Sequence, residues 1–158
     1  MSEARELIHG TCVALGSHAA LIRGPSGSGK SDLALRFLAL AVELGLEPLL
    51  VADDQVWVER QNDGSLVASA PPTLAGKIEV RGLGIVQVPH REAARLALAV
   101  DLVLPQDVPR MPTDPPDRIT IAGATLPVVK LAPFELSAAL KLRLALLSVV
   151  SQSPHQQA

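Results

Sequence analysis

The chain has 158 residues, of which 48% are hydrophobic and 19% charged, with a net charge of −2. That balance suits a globular domain with a packed core and excludes a disordered chain. Weak negative charge without a basic run, and only 2% aromatic residues, argue against a nucleic-acid partner and against a stacking surface for single strands. The one cysteine, Cys12, excludes an internal disulfide and a cysteine zinc cage; a small buried strand residue is expected there. No apolar run reaches the roughly 18 residues that span a bilayer. The opening Met1-Ser2-Glu3-Ala4-Arg5-Glu6 carries acids and no apolar signal core. A cytoplasmic protein with no membrane partner is therefore expected.

In chain order, Glu6 to Ala14 and His18 to Arg23 read as two strands joined at the turn signal Gly16-Ser17. A glycine-rich stretch, 24–31, follows. A helix is predicted from Asp32 to Leu44, with Leu33, Phe37, Leu40 and Leu44 at helical spacing and Gly45 as its C-cap. Leu49 to Ala52 is a short apolar run, as for a buried strand, and ends in Asp53-Asp54. Gln55 to Arg60 alternates, Asn62-Asp63-Gly64 turns, and Leu66 to Ala70 returns. Pro71-Pro72 breaks the pattern, and Lys77 to Val86 joins two extended pieces through Gly82 and Gly84. Leu96 to Leu104 fits a helix or a strand, with a strand favoured in its second half. The prolines at 105, 109, 112, 115 and 116 mark an exposed loop. Arg118 to Ala122 and Thr125 to Lys130 form a hairpin about Gly123, and an amphipathic helix runs from Phe134 to Val149, started by Pro133. No repeat or linker divides the chain. A single domain over 1–150 with a disordered polar tail, 151–158, is expected.

The segment Gly24-Pro25-Ser26-Gly27-Ser28-Gly29-Lys30-Ser31 matches the P-loop pattern G-x-x-x-x-G-K-[ST]. Its glycines let successive backbone N–H groups turn inward around a polyphosphate. Lys30 brings positive charge to the β- and γ-phosphates, and the Ser31 hydroxyl can ligate Mg²⁺. The apolar strand before it and the helix after it supply the required context, including the helix dipole. Asp53 and Asp54, at the end of an apolar strand after a P-loop, resemble a Walker B position. One carboxylate can serve a metal while the other takes a proton from an attacking hydroxyl; a plain surface turn is the alternative.

Other positions stay open from the residues alone. His9, beside Gly10, is a lone histidine and is more often structural. Glu79 and Arg81 are either a mutual surface ion pair or an acid serving a metal beside an arginine meeting phosphate. Arg110, in the proline-rich loop, is either exposed or closes over a phosphate. His18, His90, His155 and Trp57 show no constellation.

These pieces, in this order, resemble the catalytic domain of the HPr kinase/phosphorylase family. They are His9-Gly10, the P-loop 24–31, Val51-Ala52-Asp53-Asp54-Gln55-Val56, Ala70-Pro71-Pro72, and Ile78-Glu79-Val80-Arg81-Gly82-Leu83-Gly84-Ile85. The similarity covers about residues 5 to 110, and E-x-R-G-x-G-I is its most discriminating part. The resemblance implies an α/β, P-loop-containing fold with a phosphoenolpyruvate carboxykinase-like mixed sheet and flanking helices. It implies a bacterial regulator of the sugar phosphotransferase system that uses ATP and Mg²⁺ to phosphorylate a serine of the carrier protein HPr. Many members also reverse the reaction with inorganic phosphate, releasing pyrophosphate.

By that resemblance Gly24, Pro25, Ser26, Gly27, Ser28, Gly29 and Lys30 match the phosphate cradle, and Ser31 the metal-binding hydroxyl. Asp54 matches the catalytic carboxylate, and Asp53 its partner near the metal. His9 matches the histidine beside this pair, Glu79 the signature acid close to the metal, Arg81 its neighbour, and Arg110 the loop arginine that contacts transferred phosphate. The sequence departs from the pattern by opening at the catalytic domain and by reading Val88-Pro89-His90-Arg91 where the family usually has an Asn-Leu-Phe-Gly-like segment. In this it is similar to short alphaproteobacterial forms. The departures bear on the phosphorylase reaction, on metabolite control and on the homo-oligomer that exposed strand edges would allow. Two other readings compete: a nucleotide-sensing regulatory module with little catalysis, and a P-loop kinase for a small metabolite.

Overall fold

The computed structural model describes residues 4–151. Its strands are β1 (Arg5–His9), β2 (Thr11–Leu15), β3 (His18–Arg23), β4 (Pro48–Ala52), β5 (Gln55–Arg60), β6 (Leu66–Ser69), β7 (Lys77–Val80), β8 (Gly84–Gln87), β9 (Ala93–Leu102), β10 (Arg118–Ile121) and β11 (Ala124–Leu131). The helices are α1 (Lys30–Leu38) and α2 (Ala138–Ser151). The main sheet runs β1-β5-β6-β9-β3-β2-β4, and β11, with β10 beside it, pairs with the second half of β9. β9 lies parallel to both β3 and β11. A separate hairpin, β7-β8, stands apart from that sheet.

One antiparallel ribbon explains the curl of the sheet. β1 pairs with β5 and β2 with β4, yet β1 continues into β2 through Gly10 alone, and β4 into β5 through Asp53-Asp54. Both strands of the ribbon bend at one point, so the two ends of the strand order are drawn together. Gly10 is needed at that bend, because a Cβ there would lie 2.8 Å from the Ile22 carbonyl oxygen. The reading of Glu6 to Ala14 as one strand therefore fails at Gly10, while the hairpin at Gly16-Ser17 is as expected.

Strand alternation divides the core. Val13, Leu15, Ala20, Ile22, Leu98 and Val100 face the two helices, whereas Cys12, Ala14, Ala19, Leu21 and Ala99 face the interior of the curl with Val56, Val58 and Leu126. Cys12 is fully buried, and burial pushes its thiol pKa up. α1 presents Leu33, Ala34 and Phe37 at helical spacing, all fully buried. Burying Leu33 or Phe37 stabilises the fold by about 1.5–3 kcal/mol each.

α1 ends at Leu38, six residues before the expected end. Gly45 is not its C-cap. Instead Leu44 and Gly45 both take positive φ in a tight turn, with the Leu46 N–H donating to the Glu43 carbonyl at 2.9 Å. α2 starts at Ala138 and not at Phe134; before it the chain turns, with the Ala138 N–H donating to the Glu135 carbonyl at 3.1 Å, and the carbonyls of Pro133 and Glu135 accept from the guanidinium of Arg36. β9 begins at Ala93, and the ambiguous stretch is strand through Leu102. The proline-rich segment opens with a 3₁₀ turn, Pro105–Asp107, before an exposed loop. The tail expected at 151–158 lies outside the described residues except for Ser151, which closes α2. Among the described residues, no helix is long and apolar enough to cross a membrane.

Candidate active site

The P-loop connects the buried end of β3 to α1, as the motif requires. Gly27 and Gly29 both sit at positive φ, and the Leu33 N–H donates to the Gly29 carbonyl at 2.9 Å, which starts the helix. Lys30 is only 8% exposed. Its Nζ donates to the carbonyls of Gly24 at 2.8 Å and Pro25 at 2.9 Å. Among the described residues no carboxylate pairs with it. A nearly buried ammonium held only by neutral carbonyls leaves positive charge for an anion to satisfy. Ser28 Oγ is buried and has no hydrogen-bond partner among the described residues, an orphaned donor in the same loop.

Asp53 sits beside the loop. It is 6% exposed, and its carboxylate accepts three hydrogen bonds. Oδ1 takes the hydroxyls of Thr11 at 2.9 Å and Ser31 at 2.8 Å, and Oδ2 takes the Glu79 N–H at 3.1 Å. The structure thus gathers four segments at one carboxylate: β2, the P-loop, the end of β4 and β7. Asp54, the next residue, has the opposite environment. It adopts φ 71, rare for a residue with a Cβ. Its carbonyl accepts the Gly10 N–H at 3.1 Å, which ties it to the bend in the ribbon. That tie brings His9 across: its Nδ1 lies 3.5 Å from Asp54 Oδ1, with both side chains more than half exposed.

Glu79 reaches the group through its backbone and is exposed. Among the described residues no ion pair joins it to Arg81, so the mutual surface pair is not present. Arg110 is exposed in the loop after the 3₁₀ turn and makes no hydrogen bond or ion pair with the other site residues. The structure brings together Lys30, Ser31, Asp53 and the Glu79 backbone around the loop, and His9 with Asp54 at its rim. Arg110 is not bonded into either group.

Sequence reasoning missed Thr11, Arg23, Arg36 and Asp101. Thr11 left a signal, a hydroxyl on an otherwise apolar strand directly after His9-Gly10, and it is fully buried. Arg23, the last residue before the P-loop, makes a two-pronged pair with Asp101 of β9 at 2.8 and 3.0 Å. That pair fixes the strand end that feeds the loop, and only the β3–β9 pairing reveals it. Trp57, which shows no constellation in the sequence, carries the Arg5 guanidinium 3.7 Å from its ring centroid. His155 lies outside the described residues.

A glycine-rich turn between a buried strand and a helix, with a sunken lysine and an adjacent acid, is the architecture of a P-loop. The chain belongs to the family of the HPr Serine kinase C-terminal domain, whose model matches residues 2–109. It is 38% identical over 105 residues to an HPr kinase/phosphorylase of Lacticaseibacillus casei, a match covering 62% of this chain and 31% of that protein. It is 41% identical over 81 residues to an HPr kinase/phosphorylase of Shouchella clausii, covering 51% of this chain and 24% of that protein. The chain thus spans about a third or less of the length of these curated relatives. The fold is that of the Hpr(Ser) kinase/phosphatase from Coxiella burnetii, with a TM-score of 0.72 over 97% of this chain and 99% of that one at 22% identity. The mixed sheet with two helices, expected from the sequence, is the fold observed.

Proposed function

We propose that this chain is an ATP- and Mg²⁺-dependent protein-serine kinase whose acceptor is the carrier protein HPr. The observation that carries the proposal is the contrast between two adjacent acids. Asp53 is buried, held by three donors and in contact with the P-loop serine, while Asp54 is exposed beside His9 and turned outward. A buried acid suits the nucleotide side of a phosphoryl transfer, and an exposed one suits an acceptor hydroxyl arriving from solvent.

The donor set fits magnesium. Among the described residues no three His, Cys, Asp or Glu side chains form a cage. Magnesium commonly keeps water and binds through one or two carboxylates together with substrate phosphates. Ser31 and Asp53 would hold it, with Glu79 beside them. The metal would neutralise charge on the phosphate oxygens. Lys30, the Ser28 hydroxyl and the loop N–H groups would hold the β- and γ-phosphates. Asp54 would accept the proton of the HPr serine hydroxyl as that oxygen bonds to the γ-phosphorus and the bond to the β–γ bridging oxygen breaks, leaving ADP. His9 would orient Asp54, and Arg110 would meet the transferred phosphate from its loop. In the phosphorylase direction Asp54 would return the proton to the serine oxygen.

Intact-mass detection of transfer from Mg-ATP to HPr, beside HPr with its acceptor serine changed to alanine, tests this. A gain of one phosphate on the unaltered HPr alone is expected. No gain, with ATP binding verified in the same sample, would make the chain a nucleotide-sensing module instead.

A further inference from the structure

The chain has three aromatic side chains, Phe37, Trp57 and Phe134. Phe37 is fully buried under α1, and Trp57 is covered by Arg5. Phe134 is different. It is 73% exposed, yet its ring abuts the P-loop: a Cβ at Gly29 would lie 3.0 Å from two of its ring carbons.

The ring stands on a clamped loop. Arg36 of α1 donates to the carbonyls of Pro133 and Glu135, on either side of Phe134. Asp32 holds the same guanidinium at 2.9 Å. Glu135 is itself engaged by Lys141 at 2.6 Å. The residues flanking Phe134 are therefore anchored to α1 and α2, and its ring is left bare.

Topology adds a second argument. β3, β9 and β11 run parallel. The P-loop follows β3, and the loop with Phe134 follows β11. Both lie off the carboxyl ends of parallel strands, where α/β sheets bind ligands. An exposed aromatic face beside a phosphate loop offers the π-surface that a base needs.

We propose that Phe134 is the stacking platform for the base of the nucleotide whose phosphates occupy the P-loop. The proposal rests on the phosphate-site reading above and adds the subsite for the other end of the same ligand. Because Arg36 and Glu135 are already engaged, the platform contributes contact area and not hydrogen bonds to the base edge.

Calorimetric titration of the full chain with Mg-ATP and with Mg-tripolyphosphate separates the two claims. Phe134→Ala should weaken ATP binding by about tenfold, within the range found when a stacking aromatic is removed, and leave tripolyphosphate affinity unchanged. Phe134→Trp should restore ATP affinity, with its indole fluorescence responding to ATP and not to tripolyphosphate. Wild-type ATP affinity in Phe134→Ala, or an equal loss for both ligands, would overturn the platform while leaving the phosphate site standing. Failure of the unaltered chain to bind either ligand would overturn the phosphate site and the platform with it.

Discussion

Asp53 and Asp54 are adjacent in sequence but belong to two regions of the site built in different ways. Around Asp53, the carboxylate and the hydroxyls of Thr11 and Ser31 are bonded within the protein, and solvent is nearly excluded. Around Asp54, one loose histidine contact stands in open solvent, with Glu79 exposed as well. The first region is organised before any ligand arrives, which favours electrostatic work on phosphates. The second has acceptor capacity to spare, as the proposed arrival of a serine hydroxyl from solvent would require. The kink shared by Gly10 and Asp54 separates them, turning one acid inward and the next outward.

The largest effect that would break this comparison is expected at Lys30. Lys30→Met removes the sunken charge, and phosphoryl transfer should fall at least about 10²- to 10³-fold, with weaker ATP binding, in a single-turnover assay. Near-normal transfer would mean the loop does not cradle phosphate. Next comes Asp53→Ala, which strands two hydroxyls and the Glu79 N–H. A stability loss of roughly 2–4 kcal/mol is expected in urea titration, and an unchanged midpoint would show that the buried region is not preorganised by this carboxylate. Thr11→Val, which keeps shape and deletes one donor, should cost about 1–2 kcal/mol in the same experiment and leave binding of HPr unaffected.

The smallest effect lies outside both regions. Burial, and then the charge of Arg95, lower the His18 pKa in the folded chain. The unfolded chain therefore takes up this proton first, from about pH 6.5 downward. Stability should be fully present above that pH and decline as pH falls toward the folded pKa. His18→Gln should remove this part of the slope in thermal melts at pH 5 to 8, and an unaltered slope would assign it to other groups.

Much of the P-loop side was legible in the sequence because it is local. The P-loop, its lysine and its serine are contiguous, and the glycine spacing dictates the backbone they form. The strands read well where apolar runs met turn residues, as at Gly16-Ser17 and Asn62-Asp63-Gly64. What failed was non-local. Helical spacing carried α1 on to Leu44, because the pattern could not show that Gly45 would serve a tight turn. Nothing in Pro133-Phe134 announced that the chain would turn there, tied to Arg36, and enter α2 only at Ala138. Thr11, Asp101 and the break at Gly10 depend on which strands pair, and a sequence pattern does not specify pairing. Arg110 shows the limit from the other side: its motif is local, but Arg110 makes no hydrogen bond or ion pair with the other site residues.

The division of labour between the two acids is tested most directly by Asp54→Asn, assayed for transfer to HPr by intact mass and for Mg-ATP binding by calorimetry on the same preparation. The account predicts transfer reduced by about 10²- to 10⁴-fold, the range for loss of a general base, with ATP affinity within about threefold of the unaltered chain, since Asp54 lies outside the buried region. Transfer at the unaltered rate, or ATP binding lost together with transfer, would contradict it.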